Sequence, residues 1–473
     1  MLTIGGGSQV SAITASPRLA YFATPLGTLR YDITADAWVE PLPTPFGVSD
    51  IAPSRVAVSF DDERVWLEIG DSRFLYERVF GRWSPTSQWP DDAERGRYIE
   101  PRLSYVTPVG WSYLNDGRLV GPDQSQYAAS IVYADENGFE WMAFDRLGVA
   151  MSPAVGGRLR MLFFGPLSDW VQSLSLSGDT LFIGGVALGP GRSGVTVLDL
   201  TRGEFDYFEQ GQDRRFPVFD ALTLSVDDKE LAIGTDDGVY VLNRADGSVV
   251  SSYGRHQELA FGSVTSVALV GDALITGGTH GVTIIASDTS GAQAATILLE
   301  GEKIHTLLVD QPGTERARRL TRSRPTHVWI GAESGAYRLA VQSGALKKLD
   351  DASGVTIGPV RAIARYGETM WFLSNAGLAQ LDIASGERDM YPEFSAQGVT
   401  AMAVNRELIA VGSNDGVTVT WRRLKDRPRR TLDTNDGLPS SRVSALAFHQ
   451  DYLWIGSDRG LSRWTWNHPR ERP

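Results

Sequence analysis

Ten short segments of the chain align without a gap: VSAITA, RVAVSF, AASIVY, VQSLSL, FDALTL, VTSVAL, IHTLLV, VRAIAR, VTAMAV and VSALAF. Their third position is always small: Ala12, Ala57, Ser130, Ser173, Ala221, Ser266, Thr306, Ala362, Ala401 and Ala445. Their fourth is always apolar. A strand shows alternate residues to opposite faces, so a fixed small position marks a fixed crowded neighbour. After each segment come two further apolar runs divided by a turn, as in HVWIGAESGAYRL, LAIGTDDGVYVLN, ALITGGTHGVTII and LIAVGSNDGVTVTW. The turn ends in glycine, which tolerates positive φ where a side chain would clash. A fourth strand often follows, as in DYFEQ or RDMYPEF.

Four antiparallel strands repeated roughly every 40 residues are the signature of a β-propeller blade. The pattern predicts an all-β propeller of about ten four-stranded antiparallel blades, numbered 1 to 10 along the chain. Small residues suit the innermost strand of each blade, where blades crowd the axis. The last copy stops after its third strand, at LSRWTW. MLTIGG precedes the first copy and is predicted to supply the missing outer strand, closing the ring and removing exposed edges. Residues 1–473 are then a single propeller. The alternative partition is a set of partial blades in 1–166 and a seven-bladed propeller in 167–473. Residues 84–127 interrupt the pattern between blades 2 and 3. They contain YLNDGRL, a hairpin signal with Asn115, Asp116 and Gly117 at the turn.

The final copy, GLPSSRVSALAFHQDYLWIGSDRGLSRW, resembles the two-component-regulator propeller repeat, with its GLPS turn and its LWIG and GL pair. The copies around Trp329 and Gly416 resemble it well, and those before residue 165 are more dilute. The resemblance implies an extracytoplasmic sensor or ligand-binding module of a bacterium. No membrane helix, kinase or DNA-binding segment is read beside it, which leaves a propeller without the signalling half. No apolar run reaches the ~18 residues of a membrane span, and no secretory leader is read at the start. The expected location is periplasmic or extracellular for a mature chain, with the cytoplasm as the alternative.

Chemical motifs are sparse. The chain has no cysteine, which excludes disulfides, thiolate metal sites and cysteine nucleophiles. The six histidines lack HxH or HExxH spacing. GxSxG and GxxxxGK[ST] are absent. The GTDDG and GSNDG turns lack the ligand spacing of an EF-hand. No metal and no cofactor are predicted. A formal charge of −12 argues against nucleic acid, which demands a cationic footprint.

What remains is a binding or scaffolding propeller that engages a protein or polysaccharide through one face. The alternative is a lyase or hydrolase at the mouth of the central channel, since propellers host such sites. The second position of the aligned segments reads Ser11, Val56, Ala129, Gln172, Asp220, Thr265, His305, Arg361, Thr400 and Ser444. Asp220, His305 and Arg361 are its candidate ligand-binding residues; a wetted polar channel is the other reading. Loops leading into the inner strands converge on that mouth. They add Asp169, Trp170, Arg215, Phe216 and Arg442, of types enriched at binding hot spots. Two arginine-rich stretches, 310–326 and 422–430, are either a docking patch for an acidic partner or solvated loops. Trp89, Tyr98, Tyr105, Trp111 and Tyr113 of the insertion either form a binding surface or pack it onto the blades.

Overall fold

The computed structural model describes the chain except residues 6–9, 46–50, 91–95, 123, 146, 187–191, 210–219, 255–258, 260–262, 288–292, 311–325, 350–357, 393, 395–397, 423–428 and 468–473. Among the described residues there is no α-helix, and the strands form ten antiparallel sheets. The protein is a β-propeller. Its inner strands begin with the aligned segments, as in Trp170–Ser177, Val264–Val270, Ile304–Val309, Val360–Tyr366, Val399–Val404 and Val443–His449. The segment Leu2–Ile4 is the fourth, outermost strand of blade 10. It pairs with Gly460–Thr465 in the register Leu2↔Arg463, Thr3↔Ser462 and Ile4↔Leu461. The Thr3 and Ser462 hydroxyls meet at 3.0 Å.

The turn glycines behave as the sequence predicts. Gly377 has φ +123°, and a Cβ there would come within 2.5 Å of the Tyr391 carbonyl oxygen of the fourth strand. The small third position has a more consequential partner. It lies directly opposite the glycine of the second strand: Ser173↔Gly184, Ser266↔Gly277, Thr306↔Gly331, Ala401↔Gly412 and Ala445↔Gly456. The pair leaves a hollow, and the next blade fills it with the first residue of its inner strand. A Cβ on Gly277 would fall 2.6 Å from Ile304 Cγ2. On Gly412 it would fall 2.7 Å from Val443 Cγ1, and on Gly456 2.7 Å from Val171 Cγ1. Blade 8 has Leu373, opposite Ala362, where blades 4 to 7, 9 and 10 have glycine. There alone the docking residue, Val399, is only half-buried, whereas Val171, Ile304, Val360 and Val443 are fully buried.

The Gly456–Val171 contact joins blade 10 to blade 4. The Ser444 hydroxyl donates to the Val171 carbonyl at the same seam. On the opposite face His449 Nε2 lies 2.9 Å from Asp179 Oδ1. Inner-strand contacts thus run through blades 4, 5, 6, 7, 8, 9 and 10 and return to blade 4. These seven inner strands form a closed circuit of contacts. Blades 1 to 3 stand beside it in the spatial order 2, 1, 3, because the inner strand of blade 1, Ala12–Ala15, touches those of both blades 2 and 3. Blade 3 cannot line a channel. The inner edge of its strand Gln126–Ala134 is paired by Arg97–Tyr98 and by Arg118–Val120 of the insertion.

The insertion hairpin forms as predicted, from Ser112–Tyr113 and Arg118–Val120. Its aromatics serve packing. Tyr105 is buried, its hydroxyl donates to Glu140 at 3.0 Å, and its ring meets Tyr113 edge-on. Trp111 packs against Tyr127 and Phe163. The Tyr98 hydroxyl bonds the backbone of Ile13. Trp89 lies under the Arg55 guanidinium and covers Ala57 and Trp66 of blade 2, a face with no blade against it. One apolar cluster, including Ile4, Phe22, Trp141, Val171 and Trp454, runs from blades 1 and 3 into blades 4 and 10.

We propose that blades 4 to 10 with Leu2–Ile4 form one folding unit, and that blades 1 to 3 with the insertion form another, placed between the closing strand and the ring. Residues 163–473 alone would lack that strand. Fusing residues 1–5 behind Asn467 is expected to restore a single, sharper thermal transition at higher temperature. Equal melting of the two chains would refute the partition. Separately, Gly456→Val should cost ~1–3 kcal/mol in denaturant unfolding by overfilling the closing seam.

Candidate functional site at the channel mouth

The second position has a structural explanation. In six of the seven ring blades the inner strand shifts register across it, between Val171 and Ser173, Val264 and Ser266, Ile304 and Thr306, Val360 and Ala362, Val399 and Ala401, and Val443 and Ala445. A bulge takes its residue out of the ladder and re-aims the side chain. In three blades that side chain is a short hydroxyl that latches the next blade. Thr265 donates to the Ile304 carbonyl at 2.7 Å, Thr400 to Val443 at 2.5 Å, and Ser444 to Val171. These hydroxyls are interblade fasteners, meeting the backbone of the neighbouring blade.

Blades 7 and 8 place longer groups at the bulge. His305 Nε2 lies 2.7 Å from Glu333 Oε2, and its Nδ1 lies 3.3 Å from Arg361 Nη1 across the blade boundary. A guanidinium can only donate, so Nδ1 accepts from it. The ring proton is then on Nε2 and is donated to the carboxylate. Glu333 stands in the turn between His327–Ala332 and Gly335–Ala340, and its N–H donates to the Lys303 carbonyl at 2.9 Å. The His305 side chain is 8% exposed, against 50% for Glu333. Burial holds the imidazole below its ordinary value; Glu333 opposes this, and Arg361 and Lys303 add to it. The hydrogen bond from His305 holds the Glu333 carboxyl below the usual range.

Of the three channel candidates, His305 and Arg361 therefore meet. Asp220 sits on blade 5, separated from them by blade 6. Arg442 immediately precedes the inner strand of blade 10 and lies 3.4 Å from Asp458 in that blade's glycine turn. Trp170 opens the inner strand of blade 4, half-exposed, on the other side of the same seam. Asp169 lies beside Gly5. Arg215 and Phe216 lie outside the described residues, as does the basic stretch 311–325. Of the second basic stretch, Arg422 stacks on Tyr366, Arg429 on Phe394, and Arg430 pairs with Asp436. Those three are used in packing.

Sequence reasoning missed Glu333. It occupies the blade-turn site where other blades carry Asp236, Asn375, Asn414 and Asp458. The recurring turn register could have placed it beside the bulge. Both imidazole nitrogens of His305 are occupied, one by a carboxylate and one by a guanidinium. No ring nitrogen is left within reach of a substrate hydroxyl or water, which is what a general base requires. The arrangement orients the Arg361 guanidinium.

No protein-family model matches the chain, and no curated protein matches it. Among solved structures it is similar to PorZ, a bacterial surface component of the type-IX secretion system of Porphyromonas gingivalis. Identity is 14%, coverage is 97% of this chain and 74% of that one, and the TM-score is 0.50. It is also similar to the extracellular domain of the putative one-component system BT4673 from B. thetaiotaomicron. There the identity is 15%, the coverage 96% and 64%, and the TM-score 0.44. At these identities the likeness concerns the fold, a bacterial β-propeller fold. Among the described residues no helix is long and apolar enough to cross a membrane.

The His305 geometry generates a pH prediction. Its folded-state value lies below the unfolded value of about 6.5, so the unfolded chain binds more protons in that interval. Stability is fully present above about pH 6.5 and is lost as pH falls toward the folded value. His305→Asn should flatten the fall in melting temperature between about pH 7 and pH 5. An unchanged slope would show that His305 titrates normally in the fold.

Proposed function

We propose that the protein is a non-catalytic binding propeller that engages a protein partner through the face carrying the starts of the inner strands. It works as a bacterial extracytoplasmic module of the two-component-regulator repeat type. The observation that carries this reading is the bulge at the second position. In six of the seven ring blades it turns one side chain out of the ladder at the mouth, while the strands behind are packed blade on blade. A rigid rim with re-aimed polar groups suits recognition, because little ordering has to be done on binding. The His305 nitrogens, both engaged, favour binding over the lyase or hydrolase reading. The fold shared with a secretion-system surface component and a sensor's extracellular domain supports an extracytoplasmic role.

Within that face Trp170 and Arg442 flank the closing seam, with an aromatic and a guanidinium of the kinds that dominate hot spots. Affinity capture from the native source identifies the partner, and Trp170→Ala with Arg442→Ala in one chain tests the face. The double variant should bind the captured partner at least ~30-fold more weakly, as expected for loss of a ~2 kcal/mol anchor. A second chain neutralises Arg318, Arg319 and Arg322. Normal binding by the first chain and loss by the second would move the site to the basic stretch.

A further inference from the structure

The blade 7–8 boundary differs from the other seams of the ring. His305 stands where a hydroxyl fastens other blades, and it bonds a side chain of the next blade instead of its backbone. At the other end of the same boundary, Asp310 accepts from both Arg365 and Arg338, at 2.8 Å for Arg338. The two inner strands are thus held in register at both ends. Arg361 is half-buried, and among the described residues His305 takes one of the five N–H donors of its guanidinium and no other hydrogen bond is made by that group. Arg361 and Lys303 stand here beside Glu333 and Glu302, in a chain of formal charge −12. The glycine turns elsewhere on the same face carry Asp237 and Asp415.

We propose that Arg361, positioned by His305 and Glu333, is the anchor for a single carboxylate on a protein segment whose flanking residues are basic. A guanidinium with a free edge is matched to a carboxylate in planar, two-bond geometry. The turn acids are matched to the flanking lysines or arginines of the same segment. A polyanion meets one attractive point and several repulsive ones, so an acidic polysaccharide fits the face less well than such a peptide. The inference rests on the reading of this face as the binding surface and names the chemistry it selects.

The test uses the full chain, carbon- and nitrogen-labelled in histidine, with the His305 imidazole signals assigned by their loss in His305→Gln. Three probes are titrated at neutral pH: a synthetic peptide with one glutamate flanked by lysines, its glutamine counterpart, and an oligogalacturonide as polyanion. The glutamate peptide should shift the His305 signals saturably. The glutamine peptide should bind at least about tenfold more weakly, the cost of an unmet charged hydrogen bond. Arg361→Gln should abolish the response, and Arg361→Lys, which keeps charge without the fork, should weaken it. No saturable response to the glutamate peptide, an equal response to the glutamine peptide, or tighter binding of the oligogalacturonide overturns the proposal. So does an Arg361→Lys chain that binds as the parent does and melts with it. A captured native partner that is lost with the Trp170 and Arg442 substitutions but kept with Arg361→Gln overturns this anchor alone. A partner kept by both variants overturns the choice of face.

Discussion

Everything in the ring depends on one close approach. The second-strand glycine and the small residue opposite it leave a space that only the leading side chain of the next inner strand fills. Adding a single Cβ on Gly234, Gly277, Gly331, Gly412 or Gly456 would bring it within 2.6–2.7 Å of the neighbouring blade, a distance carbon atoms do not share. Packed interiors have no slack to absorb such a contact. The contact therefore fixes the spacing of the blades, and the spacing fixes how many close a circle. Blade 8 is the control within the molecule: Leu373 replaces the glycine, and Val399 sits less deeply than its equivalents.

That constraint explains how far the sequence could be read. The repeat, the four-stranded blade, the glycine turn and the outer strand from Leu2–Ile4 were all legible, because each is a local pattern with a fixed period. The circuit was legible only as two alternatives, a ten-bladed ring or a seven-bladed one over 167–473. The aligned segments of blades 1, 2 and 3 satisfy the same small-then-apolar rule as those of the ring. Their second strands, however, lack the glycine, so that Ala12 faces Ala23 and Ala57 faces Trp66, and which blade touches which is set outside the repeat. Blade 3 leaves the circuit because insertion strands occupy its inner edge, and that edge is specified by Arg97–Tyr98 and Arg118–Val120, far outside the repeat.

The site was legible in position but not in detail. Aligning the copies singled out the second residue as special, and all seven of its members in blades 4 to 10 are polar or charged in ways that suggested a lining. The bulge that makes it special is invisible without the register of the neighbouring strand. So Thr265 and Ser444, which bond the next blade's backbone, looked the same as His305 and Arg361, which bond each other across the boundary. Glu333 was hidden for a related reason. It belongs to a turn, where acids are ordinary, and only the pairing of Ile304 with Ala332 brings that turn beside His305.

The two kinds of bulge residue show how a closed ring makes room for recognition. A hydroxyl at the second position satisfies the next blade's carbonyl and strengthens the seam, but it leaves nothing to offer a ligand. His305 gives up that bond, and its boundary is held instead by Asp310, 6% exposed, between Arg338 and Arg365 on the far face. A buried ion pair adds little net stability over an apolar contact, yet it is costly to break. It can therefore keep two strands aligned without using the mouth. The rim position is thereby freed for a long cation whose direction is set by a neutral imidazole. The same exchange was open to every blade, and the boundary of blades 7 and 8 uses it, with the Asp310 ion pairs holding the far face of the same boundary.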